Sequence, residues 1–91
     1  MPYIKQEHRK YLDIGIDELI GRIASLPDFE PGNLNYVITR LLHYYVTFHD
    51  GESNYTRYNA AVGVLECAKL ELYRRQISAY EDKKIKENGD V

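Results

Sequence analysis

After Pro31 the chain contains no proline, and its apolar residues recur at helical rather than strand spacing. Proline stops a helix because it lacks the amide donor and its ring clashes with the preceding turn. A long proline-free stretch with apolar residues three and four apart therefore reads as helix. No run of strict alternation long enough for a strand is found. The expected fold class is all-α: a small three-helix bundle, with a short N-terminal helical segment and three helices, the last one long. With 91 residues, two separate cores would each be too small, so residues 1–91 form one domain. A hydrophobic fraction of 44% is too high for a chain that stays disordered.

The spacing predicts these helices in turn. Residues 4–12 are charged and short, enough for two turns, with Tyr3, Ile4 and Tyr11 docking on the rest. Asp13 reads as an N-cap, because its carboxylate can accept from free amides of the next turn. Helix one then covers residues 14–26, with Ile16, Leu19, Ile20 and Ile23 on one face. Gly15 and Gly21 weaken it, and Gly21 allows a close helix approach. Pro27, Pro31 and Gly32 mark a loop. Helix two begins near Asn33 or Asn35 and continues to about His49, where Asp50 and Gly51 stop it. Its apolar stripe is Leu34, Val37, Ile38, Leu41, Leu42, Tyr45 and Phe48. Helix three begins near Asn54 and runs at least to Tyr80. One of its faces carries Tyr58, Ala61, Val62, Leu65, Ala68 and Leu72; a second row is Leu70, Tyr73, Ile77 and Tyr80. Ala60, Ala61 and Gly63 keep one patch slim. Residues 81–87 are good helix formers, and Asn88-Gly89 is a stop, with Gly89 in the left-handed position.

A helix that is apolar on two sides needs two partners. In so small a domain the second is expected to be another copy of the chain. The composition agrees, with 9 Tyr, 2 Phe and no Trp. Every buried phenol needs a partner for its hydroxyl, so this many rings belong partly at an interface or in a pocket.

Charge and cysteine content exclude several classes. Twelve Lys+Arg against 14 Asp+Glu give a net charge of -2, which speaks against a protein that coats long nucleic acid. One cysteine, Cys67, excludes an internal disulfide framework, and its place in the slim patch suggests a buried, inert thiol. No apolar run approaches the roughly 18 residues of a membrane span. The charges among the first ten residues leave no room for the apolar core of a signal peptide. The expected location is the cytoplasm.

The string Asn35-Tyr36-Val37-Ile38-Thr39-Arg40-Leu41-Leu42, then Gly63-Val64-Leu65-Glu66-Cys67-Ala68-Lys69-Leu70-Glu71, Tyr73-Arg74-Arg75, and the closing Tyr80-Glu81-Asp82-Lys83-Lys84-Ile85-Lys86-Glu87-Asn88-Gly89-Asp90-Val91 resemble a family of short phage and prophage proteins catalogued as a domain of unknown function. The closing string is the most specific part. The resemblance implies a phage origin and an accessory role that interferes with host processes or host defence. It brings no catalytic residues with it.

The residues themselves offer little catalytic chemistry. His8, His43 and His49 do not pair at metal-ligand spacing, so no metal and no cofactor are expected. Glu87 and Asp90 have the three-residue spacing used by magnesium-dependent helical nucleotide pyrophosphatases, but they lie in the tail across a glycine. Glu66 and Glu71, five apart, diverge around the helix. The plain alternative is ion pairing along the helix, Glu71 with Arg75 and Glu66 with Lys69. No Gly-rich phosphate loop is present.

The strongest lead is the mixture of rings and cations. Tyr36, Arg40, His43 and Tyr44 share one face of helix two. Lys69, Tyr73 and Arg74 lie along helix three, with Arg57 before them and Arg75, Tyr80, Lys83, Lys84 and Lys86 after them. Rings stack on bases, and guanidinium forks grip phosphate oxygens. Tyrosines at helical spacing are nevertheless often core or interface, and Lys and Arg often solvated. The leading expectation is a non-enzymatic homo-oligomer: a phage-type counter-defence protein that sequesters a small nucleotide signal in Tyr/Arg pockets. The alternatives are a protein-protein inhibitor that blocks a host factor with its Tyr-rich surface, and a magnesium-dependent nucleotide pyrophosphatase.

Overall fold

A computed structural model of the chain describes residues 1–47 and 54–91. The fold is all-α, with α1 at Gln6–Ala24, α2 at Pro31–Thr47 and α3 at Tyr55–Leu72, followed by a π-helical turn at Tyr73–Ile77 and α4 at Ser78–Asn88. The last three segments run on without a break, so the described residues form three helical rods, of which the third is long. The expected ends of helix two at His49 and of its loop at Asp50 and Gly51 lie outside the described residues.

Two boundaries differ from the sequence reading, each for a local reason. The N-terminal segment and helix one are a single helix, so Asp13 is a mid-helix residue and caps nothing. Gly15 costs helix stability, about 1 kcal/mol relative to Ala, without breaking the hydrogen-bonded run. Helix two starts earlier than expected, at Pro31. Proline suits the first helical position, where its missing amide would have had no partner. The Asn33 side chain accepts from the Glu30 amide at 3.0 Å, and Asn33 and Leu34 donate to the Glu30 carbonyl at 2.9 and 3.3 Å. Pro31-Gly32 thus opens a helix whose first turn is tied back by Asn33.

Other signals are where the spacing puts them. Asn54 caps α3, its side chain accepting from the Arg57 amide at 2.9 Å. Gly89 ends α4 at a φ of 91°, and its amide donates to the Ile85 carbonyl at 2.8 Å.

The π-helical turn has no counterpart in the expected pattern. At its end the Ser78 amide donates to the Tyr73 carbonyl, five residues back. A regular helix would carry the Leu72 face on to Arg75 and Gln76. The wider turn skips them and brings Ile77 under Leu72 instead, and Ile77 is half-buried.

α2 and α3 pack against each other, whereas no Cα of α1 lies within 8 Å of a Cα in another helix. The only fully buried apolar residue among those described is Ala61, 7% exposed. Of the expected stripe of α1, Ile16, Leu19 and Ile20 are exposed and Ile23 is half-buried; Leu12 is exposed as well, and Tyr11 is 80% exposed. The expected close approach at Gly21 and Gly63 is not made within one chain: a Cβ at either would meet nothing within 4 Å. The radius of gyration is 16.9 Å, against about 12 Å for a compact chain of this length. The accessible surface is 8214 Å², against about 5500 Å² for a globular monomer of this mass.

Candidate functional site

The ring-and-cation residues fall into two groups. On α2, Tyr36 and Arg40 are one turn apart, and Arg40 Nη1 donates to the Tyr36 hydroxyl at 2.8 Å. The guanidinium carbon also lies 5.7 Å from the Tyr36 ring centre. Tyr36 is 61% exposed, and no carboxylate among the described residues pairs with Arg40. An open ring beside an unneutralised guanidinium can stack on a flat ligand and hold its anionic end. His43 and Tyr44, further along α2, are exposed. The His43 carbonyl accepts from the Thr47 hydroxyl at 2.9 Å.

On the long helix two of the expected cations are already neutralised. Lys69 pairs with Glu66 at 3.0 Å, as its spacing suggested. Arg74 pairs with Glu71 at 2.8 Å. The expected Glu71–Arg75 pair is not formed: Glu71 turns to Arg74, and Arg75 Nη1 donates to the Tyr3 hydroxyl at 3.2 Å. Arg74 Nη2 also reaches that hydroxyl at 3.2 Å, and the hydroxyl itself donates to Glu71 Oε1. The docking expected of Tyr3 is therefore real, and its place is specific. The Glu81 carboxylate, by hydrogen bonding and by its charge, holds the Tyr73 hydroxyl above its ordinary value of 10.0. Beyond it, the Lys84 ammonium lies 5.6 Å from the Tyr80 ring centre.

Tyr3 was expected to dock and Glu71 to pair with Arg75, but the helical pattern did not join the three into one cluster. The signal available was that 71, 74 and 75 are i, i+3 and i+4 on one face. Nothing in the spacing could say that a residue nearly 70 positions away closes on them.

The acidic residues considered as metal ligands have other partners. Glu87 accepts from Lys84 Nζ at 3.1 Å, and Asp90 Oδ1 accepts from the Val91 amide at 2.7 Å. Among the described residues no three His, Cys, Asp or Glu side chains gather to hold a metal ion. Cys67 is exposed rather than buried, because no other helix covers that part of α3. No helix of the described residues is long and apolar enough to cross a membrane.

The Tyr3 tie has a pH signature. The Tyr3 hydrogen bond, then Arg74 and the charge of Arg75, hold the Glu71 carboxyl below its ordinary 4.5, with partial desolvation opposing them. A lowered folded pKa means that the tie stabilises above the unfolded value and is lost as pH falls through the folded one. Carboxyl NMR titration should place Glu71 below its ordinary 4.5 and move it back toward that value in Tyr3→Phe. An unchanged Glu71 titration in that variant would remove Tyr3 as its partner.

In a comparison with family models, a domain of unknown function, DUF6899, matches residues 1–91. Comparisons with curated proteins and with solved structures gave no match.

Proposed function

The chain belongs to the DUF6899 family, and from the geometry of this member we propose that it acts without catalysis, as a homo-oligomeric binder of a small anionic ligand with flat rings. The observation that carries this reading is α1, a 19-residue helix with an apolar stripe that no other helix of its own chain covers. Isolated helices of this length are marginal in water, and an amphipathic one is held by what its apolar face packs on. The surface beyond that of a globular monomer, about 2700 Å², is of the size that permanent assemblies cover. A second copy, with the same uncovered faces, is the economical partner.

Tyr36 and Arg40 support the ligand class. Their ring and unneutralised guanidinium match a base and a phosphate. A small nucleotide that acts as a signal is the ligand we favour, sequestered stoichiometrically at joints between copies. His43, Tyr44 and Tyr73 would add ring contacts there. Lys69 and Arg74 would need to exchange Glu66 and Glu71 for the ligand. The resemblance to phage proteins favours a counter-defence role in the host cytoplasm.

Native mass spectrometry before and after denaturation tests both parts. The expected result is a multiple of 10.7 kDa that carries extra mass, freed on denaturation as an intact nucleotide. Arg40→Ala should lose the extra mass and keep the multimer. A bare monomer would overturn the reading. A bare multimer that still takes up no nucleotide on titration would leave the assembly and refute the ligand, and would favour the blocking of a host protein.

A further inference from the structure

The first residues do more than tie Tyr3. Met1 and Pro2 lie across α3, and the groove between them and Val64, Ala68 and Leu72 is open on one side and holds about 490 Å³, with Arg75 at its rim. A pocket of about this size, mostly apolar with a few polar groups at one end, is the usual form of a small-molecule site.

The charges at that end are unequal. Glu71 is neutralised by Arg74 at 2.8 Å. Arg75 makes one hydrogen bond, to the Tyr3 hydroxyl at 3.2 Å, and no carboxylate among the described residues pairs with it. Arg75 is therefore a spare positive charge at the rim, with a fork of donors suited to a carboxylate. A single guanidinium balances one negative charge, so a monoanion suits it better than a phosphate dianion.

The geometry points to a binding site for a small apolar monocarboxylate, with its carboxylate on Arg75 and its hydrocarbon body against Val64, Ala68 and Leu72, under the strap of Met1 and Pro2. The volume admits an acyl or aryl acid of roughly eight to twelve carbons. The site is separate from Tyr36 and Arg40 and does not rest on the nucleotide reading.

Octanoate is a suitable probe, with 1-octanol as its uncharged counterpart. Octanoate should shift the backbone amide signals of Val64, Ala68, Leu72 and Arg75 saturably, and octanol should bind at least about tenfold more weakly. Arg75→Gln should weaken octanoate about tenfold or more and leave octanol unchanged. Ala68→Phe, which fills the groove, should abolish binding of both, with circular dichroism confirming that the helices remain. The proposal fails if octanoate shifts none of these amides, as it would if a second copy covers the groove. It fails equally if Arg75→Gln binds octanoate as the parent does, or if inorganic phosphate competes as well as octanoate.

Discussion

Ile16→Asp combined with Ile20→Asp is expected to give a monomer of 10.7 kDa by light scattering, with a large loss of helical circular dichroism. Both residues lie on the stripe of α1, about half exposed, and no other helix of the described residues packs against it. Burying one such side chain stabilises by about 1.5–3 kcal/mol, and a carboxylate at the same place adds a desolvation cost. Two replacements should therefore weaken association by at least about a hundredfold. The helix should melt with it, because α1 has no packing left to hold it. Lys10→Asp, on the opposite face of α1, changes charge in a similar way and should leave the mass unaltered. If the double variant keeps both its mass and its helicity, α1 is not the assembling element.

Insertion of one alanine between Gln76 and Ile77 should have the second largest effect, of a different kind. The added residue turns everything after it by about 100° relative to α3. Ile77 leaves the line of Leu72, and Tyr80 and Ile85 turn with it. Helicity should stay level, since alanine is the best helix former. Association should fall by tenfold or more if the Leu72–Ile77 line is part of the interface, because one large apolar side chain of about 1.5–3 kcal/mol leaves it. Equal mass at equal concentration would show that this line is no part of the interface. The two variants thus separate the supports of the proposed assembly: one removes a helix, the other keeps every helix and changes its aim.

The fold class was legible because the spacing of apolar residues reports which side of a helix wants cover. Asn54 and Gly89 were legible as caps because each acts on its own turn. Pro31 was misread for the opposite reason: Pro-Gly both ends and begins helices, and the choice rests on Asn33 reaching back to Glu30. The turn at Tyr73–Ile77 was invisible, because an inserted residue changes the repeat only from that point on. Two apolar rows on one long helix were the trace it left. At the site, Tyr36 with Arg40 and Lys69 with Glu66 were readable as one-turn neighbours. The Tyr3 cluster was not, since its members are joined through space across most of the chain. Cys67 was assigned to the interior from its place in the slim patch of helix three, and the missing cover on α3 leaves it at the surface.

The separation of α1 from the other helices bears on how the chain reaches its final state. Almost every contact is between near neighbours in sequence, which is the topology of rapid folding. Helical turns can form and dissolve in microseconds, and within one chain α1 has no other helix to secure it. On the proposed assembly the slow step is an encounter between molecules, and the midpoint of thermal unfolding should rise with protein concentration. The amount made in the cell would then itself be a condition of α1 being folded. A dilute pool would stay open to proteolysis, and a concentrated one would protect itself.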